Sequence, residues 1–174
     1  IQKSLITDST DEVVSFKYNL NIPQSDLISE KTGVSGWRLV RYLVDGSTSW
    51  HPENDNLAGT AVYGTPNDIT NNWSIEFGEF DEIVCGTYDL THWVYFNKNQ
   101  ISTDYTNTAR TVYKSSVNLS QHTVNWYNRS TTAADPWISV EDHHDTPNDV
   151  VYGENSESVH LSLLCGYGGM SVWV

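Results

Sequence analysis

Positive charge is scarce in this chain. Nine Lys and Arg stand against 22 Asp and Glu, leaving a net charge of −13 at pH 7. A nucleic-acid backbone would be repelled, and the basic stripe that binds one is missing. Anionic membrane surfaces are poor partners on the same ground. Long apolar runs are lacking too. No stretch reaches the roughly 18 residues of a membrane-spanning helix, so membrane insertion is not expected. No secretory apolar segment is visible, and the sequence starts at Ile1, not Met, as expected of material processed from a natural source.

Only two cysteines occur, Cys85 and Cys165. Without C-x-x-C or mixed Cys/His spacing, a structural zinc site is not expected. Both lie in apolar runs, Ile83-Val84-Cys85 and Leu163-Leu164-Cys165. Two readings stay open: one disulfide, which suits an extracellular protein, or two buried thiols. Catalytic signatures are absent as well. There is no G-x-S-x-G elbow, no P-loop, no dinucleotide fingerprint after a strand and no H-E-x-x-H. The expectation is a protein that is not an enzyme.

What is present is a β pattern. Phe16, Tyr18, Leu20 and Ile22 alternate with polar residues, as on a half-buried strand. Similar runs follow at 37–43, 74–77, 83–85, 92–96, 111–113, 123–127, 137–140, 150–152, 159–165 and 170–174. Turn-forming clusters such as Asp45-Gly-Ser47 and Gly64-Thr-Pro-Asn-Asp68 separate them. Frequent short strands predict an all-β, antiparallel sandwich, jelly-roll or similar. Helical signal is confined to 23–30, with Pro23 at its start and Gly33 past its end, and to a short piece over 99–105. No repeat or linker divides the chain, so one domain over 1–174 is expected. Six tryptophans (Trp37, Trp73, Trp93, Trp126, Trp137 and Trp173) lie in or beside strands and are expected in the core. The terminal strand over 1–22 is a candidate for subunit contacts through Phe16, Tyr18, Leu20 and Ile22.

Potential ligands concentrate between Asp135 and Asn155. Calcium takes six to eight hard oxygens, and Glu141, Asp142, Asp145 and Asp149 offer carboxylates at spacings one loop can wrap. The sequence does not follow the EF-hand pattern. His143 and His144 are adjacent, so on a strand they point to opposite faces and cannot share one ion. Paired acids such as Glu141, Asp142 and Glu154 could also serve a glycoside hydrolase. A second loop carries Trp50, His51, Glu53, Asn54 and Asp55, an aromatic with acids and amides of the kind sugar sites use. The bland alternative is that Trp50 and Pro52 anchor this loop to the core. Three glycosylation sequons begin at Asn72, Asn118 and Asn128, about as many as the Ser, Thr and Asn content gives by chance.

Taken in order, several segments resemble a module of secreted or surface proteins in algae, dinoflagellates and other aquatic microbes. They are Gly36-Trp-Arg-Leu-Val-Arg41, Trp50-His-Pro-Glu-Asn-Asp-Asn-Leu-Ala-Gly-Thr-Ala-Val-Tyr-Gly64, Phe80-Asp-Glu-Ile-Val84, Trp126-Tyr-Asn-Arg129, Asp135-Pro-Trp-Ile-Ser139, Asp142-His143 and Tyr152-Gly-Glu-Asn-Ser156. The resemblance covers about 36–156. It implies an extracellular setting and repetition in larger surface proteins, and it transfers no catalytic residue. The opening Gly36-Trp-Arg-Leu-Val-Arg-Tyr-Leu-Val-Asp-Gly-Ser47 is also similar to the start of fibrinogen-like and intelectin-like domains.

These readings lead to an extracellular or cell-surface structural or adhesive protein, a candidate subunit of a filament or appendage. Its expected partners are further copies of itself or other surface proteins. The competing expectation is a calcium-assisted, carbohydrate-binding module with glycans as partners.

Overall fold

A computed structural model describes residues 23–44, 55, 57–101, 108–127, 137–139, 149–151 and 171–174. The expected strands over 16–22 and 159–165 lie outside these residues.

The helix forms where its end signals stand. Helix α1 runs Gln24–Thr32, with Pro23 before it and Gly33 in the left-handed conformation after it (φ 81°). Its last turn is tied down from outside. Lys114 Nζ donates to the Thr32 carbonyl at 2.8 Å, one of the carbonyls a helix end leaves without a partner. The second helical expectation, over 99–105, is met by one 3-10 turn, Lys98–Gln100; residues 102–107 are not described.

Among the described residues there are also ten short strands: β1 (Leu39–Tyr42), β2 (Trp73–Ser74), β3 (Glu82–Gly86), β4 (Trp93–Asn97), β5 (Thr108–Val112), β6 (Lys114–Ser115), β7 (His122–Tyr127), β8 (Trp137–Ser139), β9 (Asp149–Val151) and β10 (Ser171–Trp173). All described pairings are antiparallel. One sheet has the order β2-β1-β10-β3-β4-β6, the other β5-β7-β8-β9. The chain passes from the second sheet to the first at Tyr113, whose N–H donates to the Tyr95 carbonyl of β4 at 2.8 Å.

The six-stranded sheet is buried on both faces. Along β3 and β4, Ile83, Cys85, Val94 and Phe96 face Val112, Val124 and Trp126 of the second sheet in one cluster. The alternate residues Val84, Trp93 and Tyr95, with Trp173, pack on the other face against Ile28 of α1 and Trp37. Two-sided burial explains why β3 and β4 read as continuous apolar runs, not as alternation. Trp37, Trp73, Trp93, Trp126 and Trp173 are all at most 8 % exposed, as the sequence led us to expect. Each such side chain stabilises the fold by roughly 2–3 kcal/mol through the apolar area it removes from water.

Strand β1 departs from strict alternation. Leu39 pairs with Trp173 and Arg41 with Val172, so β1 carries one residue more than β10 across this step. Such a bulge puts two successive side chains on one side. Val40 joins the cluster between the sheets, and Arg41 lies there too, with its guanidinium 4.7 Å from the Phe77 ring centre.

Candidate functional site

Arg41 sits in an apolar strand and is fully buried. A buried guanidinium is tolerable only with a partner for its charge and its donors. Asp55 supplies both. Arg41 Nη1 donates to Asp55 Oδ1 and Nη2 to Oδ2, each at 2.9 Å, in a forked pair. Arg41 Nε donates to Ser74 Oγ at 2.8 Å, and that hydroxyl in turn donates to the Ala61 carbonyl at 2.7 Å. The same carboxylate accepts the backbone N–H groups of Leu57, Thr60 and Ala61 at 3.1, 2.8 and 2.9 Å.

One acid therefore folds the loop after it and fastens that loop to β1. Leu57 adopts φ 61°, a left-handed conformation that costs a branched residue roughly 1–3 kcal/mol. The bond from its N–H to Asp55, together with full burial of its side chain, offsets that strain. Gly59 (φ 77°) lies so close to Phe77 that any Cβ would collide with the ring. These contacts give a physical reason for the spacing Arg41, Asp55, Gly59 in the sequence.

Asp55 is the one member of the proposed sugar loop that is described, and its two oxygens are committed to this network. Trp50, His51, Glu53 and Asn54 lie outside the described residues. So do Glu141, Asp142 and Asp145 of the calcium loop. Asp149 opens β9, where it pairs with Ser139 in register. Phe16, Tyr18, Leu20 and Ile22 are likewise outside. Among the described residues, no three His, Cys, Asp or Glu side chains converge as a metal site would require.

Cys85 is a free thiol at 0 % exposure. Burial pushes its pKa far above the ordinary thiol value, against a smaller opposing effect of Arg41. The structure therefore does not support the Cys85–Cys165 disulfide, and for Cys85 the buried-thiol reading holds. On β3 Cys85 packs in the core cluster with Val94, Phe96, Val124 and Trp126. Cys165 lies outside the described residues.

A cavity of about 600 Å³ lies at one end of the six-stranded sheet. Trp37 and Phe80 supply ring surface; Arg38, Glu79, Glu82 and Asn97 supply polar groups. Arg38 is exposed and donates to the Phe77 carbonyl at 2.5 Å. The Trp37 ring is fixed from behind, its Nε1–H shared between Thr32 Oγ1 at 3.0 Å and the Val34 carbonyl at 2.8 Å. Burial raises the Tyr95 hydroxyl well above its ordinary pKa, and its hydrogen bond to Glu82 adds to the shift. Lys98 lies 5.4 Å from the Phe80 ring centre and 3.7 Å from Asp81. Such a mixture of rings, carboxylates, guanidinium and amide can hold a polyhydroxylated or cationic molecule. The signal was visible in Gly36-Trp-Arg38 and Glu79-Phe-Asp-Glu82, but nothing in the sequence says that these segments meet.

Two histidines are engaged locally. His122 Nδ1 lies 2.7 Å from the Ser120 carbonyl, so this nitrogen carries the proton. The other nitrogen then accepts from the Ser115 hydroxyl at 3.0 Å. The pair has the polarity of a nucleophile and its base, but Ser115 is fully buried and no substrate can reach it. In the β3–β4 turn, Asp89 Oδ1 accepts from the Thr87 and Thr91 hydroxyls at 2.6 and 2.9 Å and from the Thr91 N–H at 3.0 Å. Burial opposes ionisation of Asp89, but these bonds and the nearby His92 outweigh it and hold its pKa below the ordinary value. Burial lowers the pKa of His92, with Asp89 opposing in part.

Comparison with protein-family models, with curated proteins and with solved structures finds no match to this chain.

Proposed function

We propose that this chain is a non-enzymatic extracellular structural or adhesive protein that self-assembles as a subunit of a surface filament or appendage. Its architecture under this reading is an antiparallel sandwich formed by the two sheets, whose inner faces share a core. One observation carries the reading. Several described groups of the kinds that serve catalysis instead hold the fold: Arg41 and Asp55 hold each other, Ser115 holds His122, Asp89 holds a turn, and Cys85 packs in the core. The terminal segment with Phe16, Tyr18, Leu20 and Ile22 would supply the subunit contact. Light scattering on the full chain and on a variant lacking residues 1–22 tests this. Assemblies that shrink to single subunits on deletion support it; an unchanged oligomeric state overturns it.

The cavity beside Trp37 and Phe80 favours a second reading, a carbohydrate-binding module. Calcium held by Glu141, Asp142, Asp145 and Asp149 would assist it. Calorimetry with calcium and a glycan array separates the two. A glycan hit that disappears in Asn97→Ala and Glu79→Gln supports the binding module. No hit and no calcium-dependent stabilisation leave the structural reading alone.

A further inference from the structure

The three sequons look alike in sequence, but the structure separates two of them. Asn72-Trp-Ser74 is built into the fold. Asn72 Oδ1 accepts the Val44 N–H at 2.9 Å, and Trp73 and Ser74 are 3 % and 1 % exposed. The Ser74 hydroxyl is held between Arg41 Nε and the Ala61 carbonyl. A saccharide on Asn72 would stand where the end of β1 meets the aromatic cluster of Tyr42 and Trp73, whose rings stack 6.1 Å apart.

Asn118-Leu-Ser120 lies instead on the exposed connection between β6 and β7. The connection is braced from beneath. The Ser115 N–H donates to the Asn118 carbonyl at 2.8 Å, and the Asn118 N–H approaches Ser115 Oγ at 3.3 Å. Ser115 in turn is held by His122. Asn118 Oδ1 accepts both the Ser120 N–H at 3.0 Å and the Ser120 hydroxyl at 3.1 Å. The carbonyl end of the side-chain amide is thus turned into the connection, and Nδ2 is left as the group available for modification. A glycan on Nδ2 keeps every one of these bonds.

A second observation is independent of that geometry. Leu119 is 69 % exposed and Val117 is 40 % exposed, so apolar side chains flank Asn118 on both sides. Among the described residues the other exposed large apolar side chains are Val34, Val62 and Ile69, and none of these is next to a sequon asparagine as Val117 and Leu119 are. Acidic side chains are missing from this stretch, since no Asp or Glu occurs between Asp104 and Asp135. A saccharide seated on Asn118 would cover both with neutral, hydrated surface.

We infer that Asn118 is an N-glycosylation acceptor and that Asn72 is not. The donor is a lipid-diphosphate-linked oligosaccharide, and the catalyst is the transferase of the secretory route. Asn118 Nδ2 bonds to the anomeric carbon of the first sugar. The bond from that carbon to the diphosphate oxygen breaks, lipid diphosphate leaves with the electron pair, and Nδ2 loses one proton to a base of the transferase. The inference rests on the extracellular part of the proposed function. The test supplies the secretory route itself, so its failure is distinguishable from a failure of that reading.

The full chain is secreted from a eukaryotic host behind a removable leader. Folded product is then analysed by site-resolved peptide mass spectrometry, before and after an amidase hydrolyses the glycosyl-asparagine bond to aspartate in oxygen-18 water. Heavy oxygen at position 118 in most molecules and none at position 72 is the expected result. Ser120→Ala abolishes the label at 118, Ser120→Thr retains it, and Asn72→Gln leaves the glycan mass unchanged. An unlabelled Asn118 or a labelled Asn72 in folded, secreted protein overturns the inference. Because the primary reading comes from the unsubstituted chain, it does not depend on any variant folding.

Discussion

Replacing Asp55 by Ala should be among the most damaging single substitutions in this chain. It leaves Arg41, whose side chain is 0 % exposed, without a counter-charge. Breaking one side of a buried pair costs roughly 3–5 kcal/mol. The N–H groups of Leu57 and Ala61 lose their acceptor as well; Thr60 is exposed, and water can replace Asp55 there. A total of about 4 kcal/mol compares with a usual domain stability of about 5–15 kcal/mol. With a urea slope of about 2 kcal/mol per molar, the unfolding midpoint should fall by about 2 M. Arg41→Met should cost less, about 2 kcal/mol, because Asp55 keeps its three backbone donors and the apolar stem of Met still packs on Phe77. Urea titration followed by tryptophan fluorescence reads both variants, since the buried tryptophans change environment on unfolding. The reasoning fails if Asp55→Ala stays within about 1 kcal/mol of the parent, or if Arg41→Met is the more damaging of the two.

Gly59→Ala combines a left-handed backbone with a collision against the fully buried Phe77, and should cost about 2–4 kcal/mol; loss of less than about 0.5 kcal/mol in the same titration contradicts the close approach. In the β3–β4 turn, the ordinary pKa values are 6.5 for His92 and 3.8 for Asp89, and both are lowered in the fold. The unfolded chain therefore binds more protons just below each ordinary value, and stability falls as pH drops below 6.5 for His92 and below 3.8 for Asp89. A proton-resonance titration of His92 should show a midpoint below 6.5; one at or above it counts against the burial of the ring. Cys85 should resist alkylation in the native protein and react fully in denaturant. Rapid native labelling at Cys85, read by peptide mass, would contradict its placement between the sheets.

The parts of the fold that depend on local chemistry were legible in the sequence. Pro23 and Gly33 bracket α1 because one tolerates the first turn of a helix and the other tolerates the left-handed exit. The runs around Val84 and Val94 announce strands because branched and aromatic side chains suit a buried pleat. The two-sided burial of those strands was less plain, since a continuous apolar run says only that both faces are covered, not by what. The Arg41–Asp55 pair was not legible. Strict alternation would have placed Arg41 on the same side as Leu39, and only a one-residue register slip, which has no strong local signature, turns it inward. Proximity along the chain instead groups Asp55 with Trp50 and His51 as a sugar ligand. The Trp37–Phe80 cavity was missed for a related reason. Its walls come from segments some forty residues apart in the sequence, brought together by pairings that depend on the whole sheet.

One of those pairings bears on how the molecule comes together. Strand β10, latest in chain order among the described strands, lies between β1 and β3 in the six-stranded sheet. Without it, β2 and β1 stand apart from β3, β4 and β6. The sheet therefore cannot close until residues 171–173 have been made. The early strands must persist with open edges until then, which makes folding slow and the nascent chain vulnerable to pairing with its neighbours. In a molecule whose proposed role is to join copies of itself, the same late-arriving strand decides whether an edge is closed from within or left for another chain to close.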